Sequence, residues 1–445
     1  MSNIIYGSLE INNKVYSFAL SGHIIKIVQS ASYLINDFSD IDCKDTICGV
    51  TSDSRDILFL KCTFHKNRFM CCDTISIEGY VLSTTNEVYN FSVDKINFYS
   101  DAINMFYQPK IAERLSKIDC STGNIDFSTC GFKDSELSFF YQDIKCMFNI
   151  AQQINLKPEE SNRIECNSYF SFEFPQTMKA TEMIEYIQYI YDFLRLVNYS
   201  SNILFKKIIL YLKDENKIYT EKAILHIFQE AKEYENNMRN SVQIYDFEKS
   251  KIQDVFGSTA ALRKYDNKLQ LYFPKDKSER YRIEPIKWFS KASIFEGLFS
   301  EIYPNFKSSK NEQFDIVKKQ VINNIKSISD SLKNSEEKKY YNCFVSLNER
   351  YEGRLSEKFN YVFKENKSFL NEIIAKIEKD YGIVSGNFGD IYAKYRNKVA
   401  HGDIQPLTEN EIAVYRIMEP LIYLMLFKKA GLSDDEKSRI INKLF

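Results

Sequence analysis

The feature that most constrains this chain is a change in the spacing of its apolar residues. Early in the sequence apolar and polar residues alternate, whereas from Pro285 onward apolar residues recur every three or four positions. The first spacing puts one face of a strand indoors and the second puts one stripe of a helix indoors, so the two parts cannot share one kind of layer. Leu58, Leu60, Cys62 and Phe64 share a parity, Ile75 and Ile77 continue it before Gly79, and Phe170, Phe172 and Phe174 alternate with Tyr169, Ser171 and Glu173 up to Pro175. Short strands between Asn, Asp, Ser and Gly clusters predict a sandwich or barrel-like β region.

Inside that region Met183, Ile184, Ile187, Ile190, Tyr191 and Leu194 have helical spacing, which predicts a helix from Thr177, its cap, to Val197. The apolar runs Ile203 to Leu212 and Ala223 to Phe228 read as strands. The expected organisation is a β-rich region over 1–245, a polar connecting segment over 246–282 and helices over 283–445. The expected helices are Pro285 to Ile302, Glu312 to Leu332, Glu336 to Phe363, Ser368 to Tyr381, Phe388 to His401, Thr408 to Lys429 and Ser433 to Leu444. Glycines at 382, 402 and 431 close three of them, and Ser433 with Glu436 has the spacing of a capping box. Helices joined by such short turns form a bundle, so the fold class is α+β.

Composition narrows the function. With 14 glycines and 8 prolines in 445 residues, long flexible linkers are not expected, and a formal net charge of −1 excludes nucleic-acid binding by bulk electrostatics, so any RNA contact must be a local patch. No apolar run reaches the roughly 18 residues that cross a bilayer, and the start lacks the regions of a secretion signal, so a cytoplasmic protein with no membrane partner is expected. Eight of ten cysteines (Cys43, Cys48, Cys62, Cys71, Cys72, Cys120, Cys130 and Cys146) fall in the first third without a C-x-x-C pair, and His65 has no partner at zinc-finger spacing. They read as reduced, small buried side chains rather than metal ligands. There is no glycine-rich phosphate loop, no G-x-S-x-G elbow and no carboxylate pair at metal-binding spacing.

Of four histidines, His23 and His65 lie in the β-rich region and His226 in an apolar run, where hydrogen-bonded structural roles are expected. The fourth, His401, ends the string Arg396-Asn397-Lys398-Val399-Ala400-His401, before Gly402. An arginine offers a permanent planar fork of donors suited to phosphate, and a histidine, with a free pKa of about 6.5, takes and gives protons near neutrality. That pair is a minimal toolkit for cutting RNA. The same string is also an ordinary helix end, with a glycine cap and favourable dipole contacts.

Arg396-Asn397-x-x-Ala400-His401-Gly402, set between helices over residues 283 to 445, resembles the R-x4-H signature of HEPN domains. A long aromatic N-terminal region before such a domain is similar to the ApeA-like anti-phage defence proteins. The resemblance implies a HEPN helical bundle that dimerises, pooling two arginines and two histidines at the two-fold axis. It implies an endoribonuclease in which His401 is general acid or base, Arg396 binds the scissile phosphate and Asn397 orients the histidine or the RNA. Attack by the ribose 2′-hydroxyl would give a 2′,3′-cyclic phosphate and a 5′-hydroxyl, so neither metal nor cofactor is called for and DNA is no substrate. Family analogy favours tRNA as target, a phage-derived trigger, an N-terminal region that senses infection, and abortive infection as the outcome.

Lys394 and Lys398 flank Arg396 and are candidate RNA contacts. Arg350 and Arg354 lie one turn apart on a predicted helix, but nearby Glu349, Glu352 and Glu357 favour a solvated, salt-bridged face. Two other readings compete: a catalytically silent HEPN module whose β region recognises a ligand, and a glycan-binding β region suggested by aromatic richness.

Overall fold

A computed structural model describes residues 4–11, 14–28, 46–65, 74–108, 137–155, 163–229, 241–265, 273–275, 279, 283–306, 312–332, 334–349, 355–383, 385–402 and 405–445. The chain forms two compact units, one of residues 1–260 with 273–276 and Leu444, the other of 261–272, 277–443 and Phe445.

The first unit holds strands β1 (Ile5–Ile11), β2 (Lys14–Ser21), β3 (Ile24–Val28), β4 (Thr46–Thr51), β5 (Asp56–Leu60), β6 (Thr63–His65), β7 (Thr74–Ser76), β8 (Gly79–Ser83), β9 (Ser92–Ser100), β10 (Leu137–Tyr141), β11 (Ile144–Asn155), β12 (Arg163–Lys179), β13 (Phe205–Lys213) and β14 (Tyr219–Ile227). They hydrogen-bond into a single 14-stranded sheet in the order β10-β11-β12-β9-β13-β14-β8-β5-β4-β1-β2-β3-β7-β6. Helices α1 (Asp101–Phe106), α2 (Ile184–Asn198) and α3 (Ile252–Ala261) accompany it.

Two cores form. Around the early strands, Phe18, Ile25, Ile57, Phe59 and Ile75 are buried together, with Phe18 edge-on to Phe59 at 5.2 Å. On the later strands, the register pairing Phe170 with Phe98 and Phe172 with Ile96 puts these four on one face. Phe193 of α2 and Phe256 of α3 cover it, Phe256 lying 5.8 Å from Phe170 and 5.4 Å from Phe193. Each such ring contributes roughly 1.5–3 kcal/mol by leaving water.

Several local expectations change. The strand through Phe174 does not stop at Pro175 but runs on to Lys179, because a register shift between Glu173 and Met178 takes the proline out of the ladder. Thr177 therefore lies in β12, its hydroxyl bonded to Asp94 Oδ1 at 2.5 Å, and caps no helix; α2 starts at Ile184. The run Ile57 to Phe64 breaks after Leu60, and Ile57 to Leu60 are all buried, so β5 is covered on both faces rather than alternating. Part of the stretch read as a polar connection is α3, whose Val255 and Phe256 are buried. Cys62 and Cys146 are buried as expected, Cys48 is exposed, and Cys43, Cys71, Cys72, Cys120 and Cys130 lie outside the described residues.

The second unit is helical: α4 (Pro285–Ile302), α5 (Glu312–Ser331), α6 (Ser335–Glu349), α7 (Leu355–Asn366), α8 (Asn371–Tyr381), α9 (Phe388–Ala400), α10 (Glu409–Lys429) and α11 (Asp434–Leu444). The single helix expected from Glu336 to Phe363 is two, α6 and α7; Arg350 and Arg354 lie between them, outside the described residues. The capping boxes Thr408–Glu411 and Ser433–Glu436 are formed, so local hydrogen bonding sets both starts. Helix α10 is buried from Ala413 to Phe427 except at Arg416, which makes it the axis of the bundle. Among the described residues no helix is long and apolar enough to cross a membrane.

Helix α9 packs against α4, α7 and α10. Its Tyr392 stacks on Trp288 at 5.3 Å and on Phe359 at 4.8 Å, while Tyr395 meets Trp288 edge-on at 5.0 Å. At the start of α9 a Cβ on Gly389 would meet Ser356 O at 2.3 Å and Asn360 Oδ1 at 2.5 Å, backbone and a bonded amide of α7. Gly389→Ala should therefore push α9 from α7 and destabilise the bundle by about 1–3 kcal/mol, read as a lower urea midpoint. A midpoint equal to wild type would show that the two helices separate without loss.

Candidate active site

The site is built on the last two turns of α9. Phe388, Tyr392 and Tyr395 fix which side of the helix is buried. At 3.6 residues per turn, Lys394, Asn397 and His401 then fall within about 60° of one another, and all three are exposed. The structure thus brings together three of the five residues singled out by sequence, as one stripe facing solvent.

Arg396 points elsewhere. It is half-buried and forms a bidentate pair with Glu296 of α4, Nε to Oε1 at 2.8 Å and Nη2 to Oε2 at 3.1 Å. The carboxylate raises the pKa of the guanidinium, more than burial lowers it. The buried Tyr392 phenol lies beside the pair, its pKa pushed well up by burial and then by the Glu296 charge. A guanidinium has five N–H donors and this pairing uses two, which leaves three for another anion. Sequence reasoning missed Glu296: it is one of two acidic residues on α4, with Glu301, and only the crossing of two helices a hundred residues apart makes it the partner.

The helix keeps its ladder to the end of the motif. The His401 amide donates to Asn397 O at 3.2 Å and to Lys398 O at 3.1 Å, and the Gly402 amide donates to Val399 O at 3.0 Å. Gly402, at φ +79°, then turns the chain out of the helix in a conformation that side chains resist. Among the described residues the His401 ring has no hydrogen-bond partner. Lys398 is half-buried with Nζ 3.7 Å from Oε1 of Glu411, the carboxylate that also caps α10, so its charge is partly answered within the bundle.

The other histidines belong to the first unit. His226 stacks on Tyr80 at 4.6 Å, and burial, then the Arg55 charge, lowers its pKa; His65 Nε2 is bonded to Ser76 Oγ at 2.8 Å. His23 is exposed, its ring 6.1 Å from that of Phe228.

The model of the Apea-like HEPN family matches residues 289–436, a span that runs from α4 into α11 and contains both Glu296 and the Arg396–His401 string. Neither the comparison with curated proteins nor that with solved structures gave a match.

Proposed function

We propose, on the premise that residues 289–436 are an Apea-like HEPN domain, that this chain is an anti-phage endoribonuclease whose His401 and Arg396 act on one ribose–phosphate linkage. The observation that carries the reading is an exposed imidazole with no hydrogen-bond partner among the described residues, at the end of a helix whose arginine is held through two of its five N–H donors.

Because the ladder runs through His401, the two side chains leave the helix about 140° apart, and one copy does not close on a single phosphate. This favours two copies meeting across a two-fold axis over an unwound last turn. In such a pair one His401 takes the proton of the 2′-hydroxyl as its oxygen attacks phosphorus. The bond from phosphorus to the 5′-oxygen breaks, and the second His401 returns a proton to that leaving oxygen. Arg396 offers its free N–H groups to the phosphate oxygens, where negative charge builds. Glu296 acts as a positioning residue that fixes the guanidinium. Asn397 and Lys394, on the histidine's own stripe, hold the RNA backbone; Lys398, shared with Glu411, does so less.

An unrestrained ribonuclease would kill its host, so the β-rich unit is proposed as the part that senses infection, with tRNA as the favoured target and abortive infection as the result. The test is end-group analysis of RNA from cells that express the chain, with and without phage challenge. Discrete 2′,3′-cyclic phosphate and 5′-hydroxyl ends are expected. Intact RNA in both cultures would support the silent binding module instead, and 3′-hydroxyl ends would exclude attack by the 2′-hydroxyl.

A further inference from the structure

The sheet face opposite the phenylalanine core is unlike an ordinary solvated face. The register pairs Asn97 with Ser171 and Tyr99 with Tyr169, and Ile209 with Asn97 on the other side, so Tyr211, two residues along β13, joins the same face. The Tyr99 and Tyr169 rings lie 5.4 Å apart, tilted by 32°, and both are partly exposed. Beneath them Asn97 is 6% and Ser171 0% exposed. The Asn97 side chain lies against the Tyr99 and Tyr211 hydroxyls. Even so, Asn97 Oδ1 and Ser171 Oγ have no hydrogen-bond partner among the described residues. Buried polar atoms in native proteins are nearly always met, so two orphans side by side under an aromatic rim point to a ligand with donors of its own.

Charge on this face narrows the class. Lys95 and Lys213 lie over the Tyr219 ring at 5.0 and 4.9 Å, and Lys145 is paired across the strands with Glu173. Glu173, 3.5 Å from Lys213, feels the charges of Lys213 and Lys145, and Glu221, 3.7 Å from Lys207, stands beside the Tyr99 and Tyr211 hydroxyls, so Lys95, Lys145, Lys207 and Lys213 outnumber these two carboxylates on the face. Flat rings to stack on, a buried amide acceptor and nearby cations are the three features that a base with its phosphate requires.

We propose that this face binds single-stranded RNA, with unpaired bases laid on Tyr99 and Tyr169, a base amino group donating to Asn97 Oδ1, and phosphates meeting Lys95, Lys145 and Lys213. The choice of RNA over DNA rests on the nuclease reading above; the platform itself does not depend on cleavage. Paired bases cannot reach the rings, so a duplex is excluded.

The test is fluorescence anisotropy of a labelled ten-nucleotide RNA with the full His401→Ala chain, in which no cutting intervenes. The Tyr99→Leu/Tyr169→Leu variant should bind about tenfold or more weakly, since stacking is lost, while Tyr99→Phe/Tyr169→Phe should bind as the parent does. Lys95→Gln/Lys145→Gln, which spares the rings, should weaken binding and flatten its salt dependence. A parent that fails to bind the oligomer, a leucine variant that binds unchanged while folded, or equal binding of the same sequence as a duplex would each overturn the proposal. Should the leucine variant fail to fold, the lysine variant decides, and unchanged binding by it overturns the proposal too. Cleavage by the wild-type chain, followed separately, reports on the nuclease reading alone.

Discussion

His401→Ala should lower RNA cleavage by at least 10²- to 10⁴-fold, the usual contribution of a general acid or base, and leave stability within about 0.5 kcal/mol. Both halves of that expectation come from the same geometry. The ring is exposed and unbonded among the described residues, and at φ −91° and ψ 7° the backbone suits alanine as well as histidine. Its amide bonds to Asn397 and Lys398 do not involve the ring. Arg396→Ala is expected to abolish cleavage as well, but less cleanly, because it strands the Glu296 carboxylate beside a buried phenol and so loosens α4 from α9. The measurement is single-turnover cleavage of end-labelled RNA, with urea unfolding of each variant. A His401→Ala chain that still cuts at the wild-type rate removes the imidazole from the chemistry; one that unfolds assigns it to the helix cap.

What was legible in the sequence follows the range of the interactions concerned. The starts at Thr408 and Ser433 and the turn at Gly402 were readable because caps are settled within four residues. The α+β division was readable because a period of two and a period of 3.6 bury different faces. Thr177 misled because it precedes a helical pattern while its hydroxyl is claimed by Asp94, a residue on another strand. Pro175 misled because a register shift lets a strand pass a residue without an amide hydrogen. Neither the 14-strand order nor the pairing of Arg396 with Glu296 has any local signature: each is decided by which distant segments come to lie side by side. The Arg396–His401 string was visible, and helix geometry alone sets about 140° between its side chains on an unbroken helix; what the sequence left open was whether the last turn stays wound, which the bonds from the His401 and Gly402 amides decide.

The largest effect on stability is expected at an ion pair inside the bundle. Lys291 of α4, 1% exposed, pairs with Glu419 of α10, 10% exposed, and its ammonium lies 3.7 Å from the centre of the Tyr415 ring. Burial, reinforced by Lys287, holds the lysine well below its ordinary pKa, and Glu419 is a carboxylate that answers its charge. Glu419→Ala removes that carboxylate and should destabilise the bundle by about 3–5 kcal/mol, because one half of a buried ion pair is taken away while the ammonium stays buried. Lys291 would then be neutral when folded and protonated when unfolded. The unfolded chain binds the extra proton, so the variant should regain stability as pH rises towards about 10.4 and lose it as pH falls. Replacing both partners with apolar residues, Lys291→Met with Glu419→Leu, removes charge and desolvation together and should recover most of the loss. Urea unfolding of the three chains at two pH values measures all of this. A single variant within about 1 kcal/mol of wild type, or a double variant no better than the single, would mean that the pair is hydrated and carries little. Because α4 also carries Glu296, a loosened Lys291–Glu419 contact should reach the guanidinium at the candidate site, and cleavage by the single variant should fall further than its folded fraction alone predicts.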